Sequence, residues 1–296
     1  MNKPHNQIIE GSIKVTFWGV HGTLPVPGRK TVRYGGNTSC ISAVFPNGAF
    51  FIFDAGTGIK ELSNYLTSQD HTITKATVFI SHPHWDHING FPFFAPLYIR
   101  GNRFEIWGPP NGGMSMQELI SGQMDGIYFP INIKEFDATV SFSDLGEERF
   151  SIDTIEIQTI FLNHPGKCLG YRLSYGGKSV CYVTDNEMYL ESNRLYSERY
   201  IHDLTEFVAD TDILITDCTY TDEEYEAKIG WGHSSINQVI ELADRARVKR
   251  LFLFHHDPDQ TDDDIDGKLK MALTQLKKKG SSTLCIAPKE GESFTV

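Results

Sequence analysis

"SHPHWDHING", residues 81–90, places His82, His84, Asp86 and His87 within six positions. It follows directly on the apolar run "ATVFI" (76–80). Such a run reads as a buried strand, and buried strands do not normally end in four polar ligand types. In extended chain, residues i and i+2 point the same way, so His82 and His84 can grip one ion together. Asp86 and His87 lie one turn further on and can face a neighbouring ion. Two histidines and a carboxylate leave an ion under-coordinated, so further ligands must arrive from elsewhere in the chain.

Later apolar runs end in candidates of the right type. "FLNHPG" places His164 77 residues past His87, "CYVTDNE" places Asp185 21 residues further, and "LFLFHHDP" places His255 and His256 about 70 residues beyond that. His255 ends its strand directly, whereas His256 reads as solvated or as an outer neighbour of the site. In layered sheet folds, sites assemble at strand ends.

The remaining pattern alternates strands and helices. "IKVTFWGV" (13–20) reads as a strand, and "ISAVFPNGAFFIFD" (41–54) as two strands around an Asn-Gly turn. "FSIDTIEIQTIFLNH" and "LGYRLSYGGKSVCYVTD" predict three more, the last two joined at Gly176-Gly177. Helices are expected around Ile59, Leu62 and Leu66, around Leu204 and Phe207, after Ser234 or Ser235, and around Leu269 and Leu276. No linker or repeat divides the chain, so residues 1–296 read as a single domain. The expected architecture is a four-layer αββα sandwich: two mixed β-sheets face to face with helices outside.

The combination "HPHWDH", "NHPG", "VTDNE" and "LFHHDP" resembles the metallo-β-lactamase superfamily of hydrolases, from about residue 12 to the C-terminus. The resemblance implies two divalent ions, as zinc, manganese or iron. His82, His84 and His164 would hold the first, Asp86, His87 and His255 the second, and Asp185 would bridge them. "FIFDAGTG" (51–58) fits the same family, with Asp54 orienting a ligand histidine.

Two ions a few ångströms apart can hold a bridging hydroxide and stabilise attacking and leaving oxygens, which fits hydrolysis of several ester classes. "GWGHSS" (230–235) chooses among them. It resembles the Gly-His-Ser segment of the phosphodiesterase branch, which includes the tRNA 3′-end-processing nuclease and related cyclic-phosphate hydrolases. That resemblance makes His233, Asp86 and Asp217 the catalytic candidates. His233 would help protonate the leaving oxygen, and Asp217, from "LITDCTY", would orient His233. The opening "WGVHGTLPVPGRKTVRYGGNTSC" resembles a bacterial group compared with cyclic-nucleotide phosphodiesterases. There His21, Arg33 and Tyr34 either line the pocket or, the stronger reading, shape the loop at its mouth.

Composition narrows the partners. A formal net charge of −11 repels a long phosphate backbone, so a small anionic substrate is expected and no long nucleic acid. The segment 186–232 also lacks the basic arm that grips tRNA in the processing nuclease. Five scattered cysteines without a Cys-x-x-Cys pair predict reduced, buried thiols. "MNKPHNQIIEGS" lacks an apolar core of signal-peptide length, and no run is long enough to span a membrane. A cytoplasmic location is expected, and exposed aromatics in 91–131 suit a homodimer. Two other readings stay open: a thioesterase or lactonase using the same two ions, and a metal-binding scaffold without activity.

Overall fold

The computed structural model describes residues 12–68 and 73–296. The N-terminal stretch read above for a targeting signal lies, up to residue 11, outside the described residues. Two seven-stranded sheets form. The first joins β1 (Lys14–Gly19), β2 (Cys40–Val44), β3 (Phe50–Phe53), β4 (Lys75–Phe79), β5 (Arg103–Gly108) and β6 (Thr139–Asp144) in that spatial order. β14 (Ser293–Thr295) closes its β1 edge. The second runs from β7 (Arg149–Ile152) through β8 (Ile155–Leu162), β9 (Cys168–Tyr175), β10 (Lys178–Val183), β11 (Ile213–Asp217) and β12 (Arg250–Phe254) to β13 (Leu284–Ile286). Each sheet is antiparallel at one end and parallel at the other.

Period-2 alternation explains why the sheets stack with helices outside. Phe51 and Phe53 of β3, Tyr182 of β10, and Phe252 and Phe254 of β12 point into the space between the sheets. Their neighbours Ile52, Val183 and Leu253 point outward into two separate helix-covered layers. Rings meet across the sandwich: Phe53 lies 5.4 Å from Tyr182, and Phe17 stacks 5.3 Å from Phe252. α1 (Gly58–Ser68) and α3 (Met116–Gly122) cover the first sheet, burying Ile59, Leu62, Met116 and Ile120. α4 (Glu198–Phe207), α6 (Ile236–Arg245) and α7 (Asp262–Lys279) cover the second through Leu204, Val239, Ile240 and Leu276. The αββα architecture is therefore as expected. α2 (Trp85–Ile88) and α5 (Asp222–Glu226) are single turns beside the site.

Three elements depart from the sequence reading. "FSIDTIEIQTIFLNH" is a hairpin of two strands, β7 and β8, not one strand. Ile152 pairs with Ile155 across a two-residue turn, with Asp153 at φ 52°. Tight hairpin turns of this kind favour Asn-Gly or Asp-Gly, and Asp-Thr carries no such signal. The edge strands β6 and β14 were also not anticipated; exposed edges need few core residues, so their hydrophobic signal is weak. All five cysteines are free and buried. Among the described residues, no helix is long and apolar enough to cross a membrane.

Candidate metal centre

The site sits at the ends of strands from both sheets. β4 leads into His82 and His84, β8 into His164, β10 into Asp185, β11 into Asp217 and β12 into His255. α2 begins immediately after His84 and turns Asp86 and His87 inward, while Trp85 is 80% exposed on its other side. Among the described residues the fold gathers four overlapping groups of donor atoms within 4.8 Å, two of them the predicted sets His82, His84 and His164, and Asp86, His87, Asp185 and His255; His233 joins the other two, with His164 and Asp185 and with Asp217 and His255.

Asp185 lies between the sets with one oxygen toward each. Its Oδ1 is 3.2 Å from Nε2 of both His87 and His255. Its Oδ2 is 3.6 Å from His82 Nε2 and 3.7 Å from His164 Nε2. This is the disposition a bridging carboxylate requires.

The donor atoms fit a cation. His82 Nε2 is buried without a hydrogen-bond partner, which is costly unless a positive centre meets it. Ring nitrogens face one another, His87 Nε2 to His255 Nε2 at 3.3 Å and His164 Nε2 to His84 Nδ1 at 3.1 Å. Two neutral imidazoles cannot both donate across such a gap, but their lone pairs can converge on a metal. Outward nitrogens are held from behind: His87 Nδ1 donates to Asp54 Oδ2 at 2.7 Å, and His164 Nδ1 donates to the Gly232 carbonyl at 2.9 Å. His255 Nδ1 lies 3.2 Å from Thr219 Oγ1. Such outer partners set the tautomer and aim the metal-facing nitrogen.

Charge in the site is unevenly spread. Burial, followed by the neighbouring His87, pushes His82 well below the usual imidazole range. Burial acts the same way on His87, but Asp86, Asp185 and Asp54 outweigh it and hold that ring well above the range. A histidine must be neutral at the nitrogen it turns to a metal, so binding of an ion there would release protons.

Asp54 is a buried outer residue whose carboxylate is fully engaged. Its carboxylate accepts from His87 Nδ1, Tyr182 Oη at 2.6 Å, Ser81 Oγ at 2.8 Å and Ser81 N at 2.7 Å. Asp54 and His255 both adopt positive φ, 58° and 59°, a costly conformation for residues with a side chain. Asp54→Asn replaces one accepting oxygen by a donor facing other donors. Affinity at the His87-containing set is expected to fall about 10–100-fold, with metal titration as the check. The metal-free form should lose roughly 1–3 kcal/mol in thermal unfolding, from the donors left unpaired.

His255 and His256 part company here. His255 Nε2 points at Asp86 Oδ2, 3.2 Å away, whereas His256 Nδ1 lies 3.0 Å from Lys268 Nζ on α7. His256 is fully buried and packs behind the site, against His21, so it is not solvated but lies as an outer neighbour, the other of the two expected places. His21 is buried as well. Arg33 pairs with Asp263 and Asp266, and Tyr34 Oη donates to Asp266, so both anchor the mouth loop to α7. Gly22 in that loop lies against His255; a Cβ there would sit 2.1 Å from its ring.

His233 stands beside both donor sets, its ring 5.2 Å from that of His164 and 5.0 Å from that of His255. Its Nδ1 donates to Asp217 Oδ2 at 2.9 Å. Burial opposes protonation of His233, but Asp217, Asp185 and Asp86 raise its pKa to about 9. Sequence reasoning missed Ser81, Tyr182, Thr219 and Glu187. Only Thr219 carried a local signal, two residues after Asp217 in "TDCTY".

Two seven-stranded sheets with this donor set at their strand ends define a metal-dependent hydrolase. The model of the beta-lactamase superfamily domain matches residues 50–256, most of the chain, and the chain belongs to that superfamily. Ribonuclease Z of Picrophilus torridus is 24% identical over 283 residues, covering 83% of this chain and 86% of its own. Unliganded yeast PDE1 shares the fold at a TM-score of 0.69 with 13% identity, covering 97% of this chain and 100% of its own. The short form of human tRNase Z does so at 0.63 with 18% identity, over 95% and 98%.

Proposed function

We propose that the protein is a phosphodiesterase that holds two divalent ions and hydrolyses a small anionic diester such as a cyclic nucleotide. The observation that carries this is the Asp217–His233 pair at the border of the two donor sets. Bound ions would supply an activated water and neutralise charge on the diester. His82, His84 and His164 would hold one ion and Asp86, His87 and His255 the other, with Asp185 offering an oxygen to each. Asp217 holds Nδ1 of His233, which leaves Nε2 as the atom that can hand a proton to the leaving oxygen. Asp86 accepts from Thr23 N at 2.7 Å, tying the mouth loop to the second donor set.

One exposed aromatic supports a substrate with a flat ring. Trp231, 60% exposed, sits two residues before His233. Aromatic faces beside a phosphate site stack on nucleobases. The name ribonuclease Z carried by the relatives favours a second reading, cleavage of RNA, against which the acidic charge weighs.

The purified protein should carry close to two transition-metal ions per chain, checked by elemental analysis after reconstitution; none taken up would remove the centre. Rates on cyclic AMP, a short RNA, bis(p-nitrophenyl) phosphate, a thioester and nitrocefin, measured side by side, test the chemistry. Turnover of cyclic AMP above the rest is the expected result. Turnover of RNA favours the second reading, and of the thioester alone, the thioesterase or lactonase alternative.

A further inference from the structure

We propose that Glu187 is a positioning residue of the centre: its buried carboxylate clamps the 230–233 loop and thereby sets the ring of His164 and the place of His233. The inference rests on the reading of His164 as a metal ligand. Glu187 lies two residues past Asp185 and is fully buried. A buried carboxylate is costly unless donors satisfy it, and here three neutral donors converge. Its Oε1 accepts from Tyr225 Oη and from Gly230 N, both at 2.8 Å, and its Oε2 accepts from Gly232 N at 2.8 Å.

The loop is shaped for that anion. Gly230 and Gly232 take φ of 89° and 87°, in the left-handed region, on either side of Trp231. Their N–H groups turn to one side, a concavity of the kind that binds anions. Glu187 supplies the anion from within the chain.

The clamp reaches the centre through one residue. Gly232 gives its N–H to Glu187 and takes His164 Nδ1 on its carbonyl at 2.9 Å. The approach is close: a Cβ on Gly232 would lie 2.4 Å from His164 Nδ1. His233, the next residue, is held by Asp217. The main chain of Glu187 is tied in too. Its N–H donates to the Asn163 carbonyl at 2.8 Å, next to His164. On either side of it, Ser234 Oγ donates to the Asn186 carbonyl at 2.5 Å and accepts from Met188 N at 3.2 Å. Glu187 therefore joins three segments: the extension of β10 with Asp185, the end of β8 with His164, and the loop with His233.

The test is a Co²⁺ titration of metal-free wild type, Glu187→Gln and His164→Ala, followed by calorimetry and visible absorption. The amide keeps the shape but offers one accepting oxygen, so a donor now faces a donor in the concavity. Glu187→Gln should weaken one of two Co²⁺ equivalents about 10–100-fold, the worth of an outer partner of a ligand histidine. It should be the same equivalent that His164→Ala loses, and the double variant should lose no more than His164→Ala alone. Tyr225→Phe, which keeps both loop N–H bonds, should cost clearly less. Two wild-type affinities in Glu187→Gln, equal weakening of both together with a large drop in Tm, or failure to fold would each overturn the proposal. Rapid hydrogen exchange at Gly230 and Gly232 in metal-free wild type would overturn it without any variant. A wild type that takes up no second Co²⁺ fails the metal-centre reading first, and the proposal with it; wild-type loading with an indifferent Glu187→Gln removes the proposal alone.

Discussion

His233→Ala should leave both ions bound and slow hydrolysis of a cyclic nucleotide by roughly 10²–10⁴-fold, the usual worth of general acid–base assistance. The reason lies in which atom Asp217 engages. With Nδ1 held at 2.9 Å, the ring's remaining nitrogen is the one able to give up a proton. An alkoxide leaves poorly and needs that proton, whereas p-nitrophenolate needs little. The loss should therefore shrink on bis(p-nitrophenyl) phosphate, and steady-state rates on both substrates decide the matter. A uniform small loss would make His233 a helix-start residue ahead of α6. A loss accompanied by missing metal would make it a ligand, a role its distance to Asp185, 3.9 Å, places within reach. The pH profile adds a sign. An acid works only while protonated, so the wild-type rate on the poor leaving group should fall as pH rises through the pKa of His233. Burial works against that proton, and Asp217, Asp185 and Asp86 hold it up to about 9. Cations on Asp185 and Asp86 weaken two of those supports, so the fall should come below that value, and His233→Ala should lack it.

Asp185→Ala is expected to lower metal content further than loss of any single histidine, and to abolish activity with it. Each histidine serves one donor set, but Asp185 presents Oδ1 to His87 and His255 and Oδ2 to His82 and His164. Removing it takes a ligand from both ions and leaves their mutual repulsion unshielded. The metal-free variant should still fold, because the Asp185 side chain lies at the end of β10 and outside the hydrophobic clusters. Elemental analysis beside His82→Ala and His255→Ala is the check. Metal content and rate equal to wild type would refute the shared role.

Glu187→Gln and Asp54→Asn probe the next layer, and they differ in a useful way. Asp54 bears directly on the His87 set through one hydrogen bond. Glu187 bears on the His164 set through a peptide group. The two variants should therefore weaken different equivalents of metal, and a variant of both should add their effects, since the residues share no partner.

Much of this was open to reading along the chain. The seven candidate ligand positions are donor types at the ends of apolar runs, a local pattern, and the resemblance to the superfamily sorts them into two sets. Side chains alternate along β3, β10 and β12, but both faces of each are apolar, so which face meets the other sheet was left to the fold. The hairpin at Asp153 was hidden because its turn uses residues of no particular preference. The strand end already favoured His255 over His256; the folded chain adds the reason, a backbone at φ 59° that turns the His255 ring into the site while His256 meets Lys268. What remained to it were choices between distant partners. Asp54 reaches His87, 33 residues on, and Glu187 reaches Gly232, 45 residues on. A carboxylate reads the same in sequence whether it meets water or three buried donors. Its partners are set by how two sheets pack and where their strands end, and those contacts leave no periodic trace along the chain.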